Sequence, residues 1–233
     1  MLLQAVLFDL DGTMIDSEGF YVKIWQEVLG GYGLRIDGYR LLSSLGGKTD
    51  IQAYDVLKTE FGFAGEKDEL LSLIHQEVAR RLQYERVELM PGVQELIDYL
   101  SARQIRMAVV TSSKKAITEQ HLGPHGLLQQ FEFLVTRENV ARTKPAPDPY
   151  HTAMTQLGLQ ASACLALEDS PTGMTAAYAA GIPVVGVQPH ASIRELLPPD
   201  SQVFHDLFEV REYIQNLYFG PDSTFHKNKI PQK

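Results

Sequence analysis

From residue 91 onward the chain alternates between short apolar runs and stretches of helical period, and this alternation limits the fold more than any single motif. Residues 93–100, 116–122, 149–157 and 172–180 carry apolar side chains at helical spacing, while 105–110, 133–135, 164–167 and 183–187 read as strands. Strands separated by helices specify a parallel sheet with helices on both faces. With the apolar run 5–8 at the amino terminus, five strands are expected. The fold class is therefore α/β, a Rossmann-like parallel sheet core.

One long interruption breaks the pattern. From Ser17 the residues Phe20, Ile24, Trp25, Val28 and Leu29 recur at helical spacing, with Asp16 or Ser17 as capping candidates, and Gly30, Gly31 and Gly33 close the segment. Helical patterns follow over 39–45, 51–61 and 68–82 without an intervening strand. The expected organisation is a core of 1–15 and 91–219, an inserted all-helical cap of 16–90, and a flexible polar tail of 220–233.

The first strand ends in Asp9-Leu10-Asp11-Gly12-Thr13. Side chains two apart on a strand share a face, so Asp9 and Asp11 converge while Leu10 points into the core. Two carboxylates this close repel unless a cation, a proton or strong hydrogen bonds offset one charge. Taken alone the motif is equally a strand end and a turn, since Asp and Gly are common in both.

Three further stretches sit beside strand ends or turns. Thr111-Ser112-Ser113-Lys114 offers hydroxyls and backbone N–H groups at a strand-to-helix turn, suited to anionic oxygens and equally to capping a helix. Lys144 precedes a proline-stiffened turn, which lowers the ordering cost of placing its ammonium. Glu168 and Asp169 end another buried strand, where the bland alternative is that Asp169 or Ser170 caps the next helix. Carboxylates from two strand ends are oxygen ligands of the kind Mg²⁺ takes while it keeps waters and a substrate phosphate oxygen.

In this order and at these spacings, Asp9-Leu10-Asp11-Gly12-Thr13, Thr111-Ser112, Lys144-Pro145 and Glu168-Asp169-Ser170 resemble the four signature motifs of the haloacid dehalogenase superfamily. Residues 173–181 resemble the helix after the fourth motif in its β-phosphoglucomutase-like phosphatase branch, and the likeness spans nearly the whole chain. The resemblance implies a Mg²⁺-dependent phosphatase acting on a small phosphorylated metabolite. Asp9 would be the nucleophile forming an aspartyl phosphate, and Asp11 the general acid and base. Asp9, Asp169 and the Asp11 backbone carbonyl would ligate Mg²⁺, with Glu168 in support. Thr111, Ser112 and Lys144 would bind and orient the phosphoryl oxygens.

Departures from the pattern sort the alternatives. Dehalogenases of the superfamily lack the second acid that Asp11 supplies, and a pump of the same superfamily needs membrane spans. Phosphonoacetaldehyde hydrolases use a cap lysine, but nothing marks Lys48 or Lys58 as desolvated. Sugar phosphomutases carry a cap histidine where Tyr21 stands and an arginine in a loop that here reads Gly46-Gly47-Lys48-Thr49-Asp50. Hydrolysis is favoured over phosphomutation, and a non-catalytic binding module is the lesser alternative. Lys48, preceded by Gly46 and Gly47, is expected to reach over the leaving group, the equal alternative being an exposed connection between helices.

Other features bound the reading. The formal net charge of -8 without a dense basic run argues against nucleic-acid binding. No signal-length leader or span of 18 apolar residues occurs, so a cytoplasmic protein without membrane contact is expected, monomeric or weakly dimeric. The single cysteine, Cys164, lies in an apolar strand and reads as packing. His75, His121, His125 and His151 lack ligand spacing and read as surface or packing residues.

Overall fold

The computed structural model describes residues 2–45 and 50–220. The expected tail therefore lies outside the described residues from 221 on. The chain divides into two compact units, Met1–Ile15 with Leu89–Lys233, and Asp16–Glu88.

The first unit is built on six parallel strands: β1 (Ala5–Phe8), β2 (Arg106–Val110), β3 (Leu134–Val135), β4 (Cys164–Glu168), β5 (Val184–Val187) and β6 (Val203–Phe204), in the order β3-β2-β1-β4-β5-β6. The sixth strand exceeds the five expected; it has two residues, both half-buried, and so shows no apolar run in sequence. The strand order reverses between β1 and β4, and open α/β sheets bind ligands at such a reversal, beyond the carboxyl ends of the strands.

All four residues of β1 are fully buried, as a central parallel strand requires. Ala5 and Leu7 join the core that Tyr150, Ala153 and Leu157 of α7 (Asp148–Leu157) and Met174, Ala176 and Ala177 of α8 (Pro171–Ala179) complete. Phe8, of opposite parity, meets Phe131 edge-on with ring centroids 5.6 Å apart. The helix α5 (Val93–Ser101) packs against β2 and against α10 (Leu207–Ile214). Cys164 is buried, and burial pushes its thiol up to about 11, so it serves packing.

The second unit holds α1 (Ser17–Gly31), α2 (Gly38–Leu45), α3 (Asp50–Glu60) and α4 (Lys67–Arg81). Asp16 caps α1 by accepting from Gly19 N at 2.8 Å. Phe20, Ile24, Trp25 and Leu29 bury one stripe of α1, which packs against α2 and α4. Arg81 ties the unit together: it bonds Glu27 of α1, Glu77 at 2.8 Å and, at 3.6 Å, Glu85. Backbone bonds join the two ends of the insertion, Asp16 N to Glu88 O at 2.9 Å beside Met90 N to Met14 O at 2.9 Å. Among the described residues no helix is long and apolar enough to cross a membrane.

Candidate active site

Strand register assembles the site before any side chain is considered. Phe8 pairs with Val109 of β2 on one side and Leu167 of β4 on the other. One residue further along each strand, Asp9 lies level with Val110 and Glu168. Its amide donates to Leu167 O at 3.0 Å, so the backbone stays in strand geometry up to the acid itself.

Lys144 enters at this level. Its ammonium bonds Asp9 Oδ1 at 2.5 Å, Glu168 Oε1 at 2.6 Å and the Val110 carbonyl at 2.7 Å, which uses all three of its protons. The segment that delivers it is clamped by Arg142, whose Nη2 donates to Asp148 Oδ1 at 2.8 Å and whose Nε donates to Oδ2 at 3.1 Å. The intervening Lys144–Pro145 peptide is cis.

Asp169 follows Glu168 out of β4. Ser170, not Asp169, caps α8, accepting from Gly173 N at 3.1 Å. Asp169 instead approaches the first loop, where a Cβ on Gly12 would overlap its carboxylate, and Gly12 also has φ +78°. Glycine is thus required twice over at residue 12, for a left-handed backbone and for the space Asp169 occupies. Gly173 has a similar role, since a Cβ there would overlap the Glu168 carboxylate.

Asp9, Glu168 and Asp169 are all buried, and each offers an oxygen within 4.8 Å of the others'. Asp11 does not join this trio; half-buried, it accepts from Ser113 Oγ at 2.6 Å through Oδ2. Thr111 is buried and its hydroxyl oxygen accepts from Ser113 N at 3.0 Å, whereas Ser112 is exposed. Lys48 lies outside the described residues.

Charge is out of balance here. Burial, reinforced by the Glu168 and Asp11 charges, pushes the Asp9 carboxyl up to about 7 even though Lys144 opposes the shift. Burial works to lower Lys144, but the Asp9 and Glu168 carboxylates outweigh it and hold the ammonium above its usual value. Three buried acids thus face one buried ammonium, and Glu168 Oε2 has no hydrogen-bond partner among the described residues. An all-oxygen donor set with surplus negative charge and an orphaned carboxylate oxygen fits a hard divalent cation.

Sequence reasoning did not single out Ser113 or Tyr150. Ser113 is one of two adjacent serines, and nothing in the pair says which faces Asp11. Tyr150 reads as an apolar helix position; only its hydroxyl, bonded to Glu168, distinguishes it from core. His121 is buried as a packing residue, yet neither ring nitrogen finds a partner among the described residues.

A parallel sheet whose central strand ends in acids at the point of reversal places a charged ligand site where open α/β sheets bind their ligands. The family model for haloacid dehalogenase-like hydrolases matches residues 6–187, and the chain belongs to that family of enzymes. The fructose-1-phosphate phosphatase YqaB of Escherichia coli is 34% identical over 184 residues, 79% of this chain and 96% of that protein. The validoxylamine A 7'-phosphate phosphatase of Streptomyces hygroscopicus subsp. limoneus is 33% identical over 217 residues, 90% of this chain and 97% of the relative. Among solved structures, a HAD family hydrolase from Deinococcus radiodurans with bound phosphate and sodium superposes with a TM-score of 0.81 at 27% identity, covering 92% of this chain and 96% of that one.

Proposed function

We propose that the protein is a Mg²⁺-dependent phosphatase that hydrolyses a small phosphorylated metabolite, a sugar phosphate or similar phosphomonoester, through an aspartyl phosphate on Asp9. The observation that carries the reading is the Lys144 ammonium shared between Asp9 and Glu168 beside Asp169. The relatives named for fructose 1-phosphate and validoxylamine A 7'-phosphate support the substrate class.

Asp9 and Asp169, with the Asp11 backbone carbonyl and Glu168, would hold Mg²⁺, which when bound supplies positive charge against the transferring phosphoryl oxygens. In this reading the attack on phosphorus comes from Asp9 Oδ2, the oxygen that Lys144 does not hold. As the Oδ2–P bond forms, the P–O bond to the leaving alcohol breaks, and the Asp11 carboxyl gives its proton to that oxygen. Asp11 Oδ1, the oxygen that Ser113 does not bond, would carry that proton. The Asp11 carboxylate then takes a proton from water, which attacks the phosphorus and releases inorganic phosphate while Asp9 is restored. Thr111 and the N–H groups of its turn orient the phosphoryl oxygens. The Asp16–Glu88 unit serves as the cap that selects the leaving group.

The test is phosphate release from para-nitrophenyl phosphate and a panel of metabolite phosphates, with Mg²⁺ or EDTA. Release that stops with EDTA and in Asp9→Asn is the expected result; release that survives either change refutes the reading. Interconversion of glucose phosphates on adding glucose 1,6-bisphosphate would instead identify a mutase.

A further inference from the structure

Glu168 is fully buried at the end of β4, and its two oxygens are treated unequally. Oε1 receives two donors, the Lys144 ammonium at 2.6 Å and the Tyr150 hydroxyl. Oε2 receives none among the described residues. Both donors come from one short segment, since Tyr150 lies in the first turn of α7, directly after the turn that delivers Lys144. The Tyr150 ring is also fully buried, and its centroid lies 5.5 Å from the Lys144 nitrogen, so the ring backs the ammonium while its hydroxyl holds the acid.

A carboxylate held by one ammonium can still turn about its last side-chain torsion and exchange its oxygens, because that torsion is broad. A second donor of fixed direction on the same oxygen removes that freedom. Gly173 limits the carboxylate from another side, where even a methyl group would overlap it. We propose that Tyr150 is a positioning residue for the divalent-ion site: its hydroxyl fixes Glu168 so that Oε2 alone is presented to the ion or to its water shell. The inference rests on the divalent-ion reading of the site. Outer partners that orient ligating groups typically change metal affinity by about 10–100-fold when removed.

The experiment is a Mg²⁺ titration of thermal unfolding, which reads ion binding without turnover, on the intact protein and on Tyr150→Phe, Glu168→Gln and the double variant. The wild-type midpoint should rise with Mg²⁺, and Tyr150→Phe should need about tenfold more Mg²⁺ for half the rise. In the Glu168→Gln background the same tyrosine change should cost less than about threefold, since the group it positions is already altered. A tyrosine that only fills the core would lower the metal-free midpoint and leave the half-saturating Mg²⁺ concentration where it was; that result overturns the proposal. An equal cost in both backgrounds overturns it as well. A wild-type midpoint indifferent to Mg²⁺ defeats the ion reading and this inference together, whereas a responsive wild type with an unshifted Tyr150→Phe defeats the positioning role alone. If the phenylalanine variant does not fold, Tyr150→Met fills the same space without a hydroxyl and carries the same expectation.

Discussion

Replacing Lys144 with methionine keeps most of the side-chain volume and removes the one buried cation among three buried acids. The Lys144 side chain is 4% exposed, against 10% for Asp9 and 1% for Glu168, so water cannot take over the lost interaction. Breaking a buried pair by deleting one partner costs about 3–5 kcal/mol, most of it the penalty of leaving the other charge unpaired. For a protein of this size each kcal/mol moves the midpoint by about 2–4 °C, so Lys144→Met should lower the metal-free Tm by roughly 6–20 °C. Circular dichroism melts in EDTA measure this directly. Saturating Mg²⁺ should return part of the loss, because it brings positive charge to the same carboxylates. A Lys144→Met protein that melts within about 2 °C of wild type in EDTA would refute the account of the ammonium as the group that makes the buried acids tolerable.

Gly12→Ala should lose about 1–2 kcal/mol to its left-handed backbone alone and, by displacing Asp169, should also weaken the Mg²⁺-induced rise in Tm; an unchanged Mg²⁺ response would contradict the close approach. In the helical unit, hydrogen bonds from Arg80 and Arg81 hold Glu77 down to about 2. Because its folded value lies below its ordinary one of 4.5, its contribution is complete above that value and is lost as pH falls towards about 2. Glu77→Gln should therefore flatten the acid limb of the melting profile, and a limb of unchanged slope would argue against it. His121→Leu removes two buried ring nitrogens that have no hydrogen-bond partner among the described residues and should hold or raise Tm, since a buried unsatisfied polar group costs about 1–3 kcal/mol; a clear fall in the melting temperature would contradict this.

The parts of the fold with strong periodic signals were legible from residue types. β1, β2 and β4 are buried on both faces and show as continuous apolar runs, and α1 shows its stripe. β6 has two half-buried residues and no run to detect. α10 is not among the expected elements although its signals are present: Leu207, Val210 and Ile214 share one buried face, and Asp206 caps it by accepting from Glu209 N at 3.0 Å. At the site, Asp9, Glu168 and Asp169 stand out because acids at the ends of buried strands need a reason to be there, whereas Lys144, ahead of a proline-stiffened turn, is marked only by the motif resemblance. Which of two serines meets Asp11, and that a core tyrosine bonds a buried acid, depend on side-chain directions that spacing does not encode.

The joined ends of the insertion carry a consequence for how such chains diversify. Backbone leaving the sheet at Ile15 and returning at Leu89 is already stitched together, Ile15 pairing antiparallel with Leu89. The ring closure is thus made by the scaffold itself, so the length and content of what lies between impose little on the strands. Whole helices could be traded, added or trimmed there, as at a graft junction, while the acids at the strand tips kept their places.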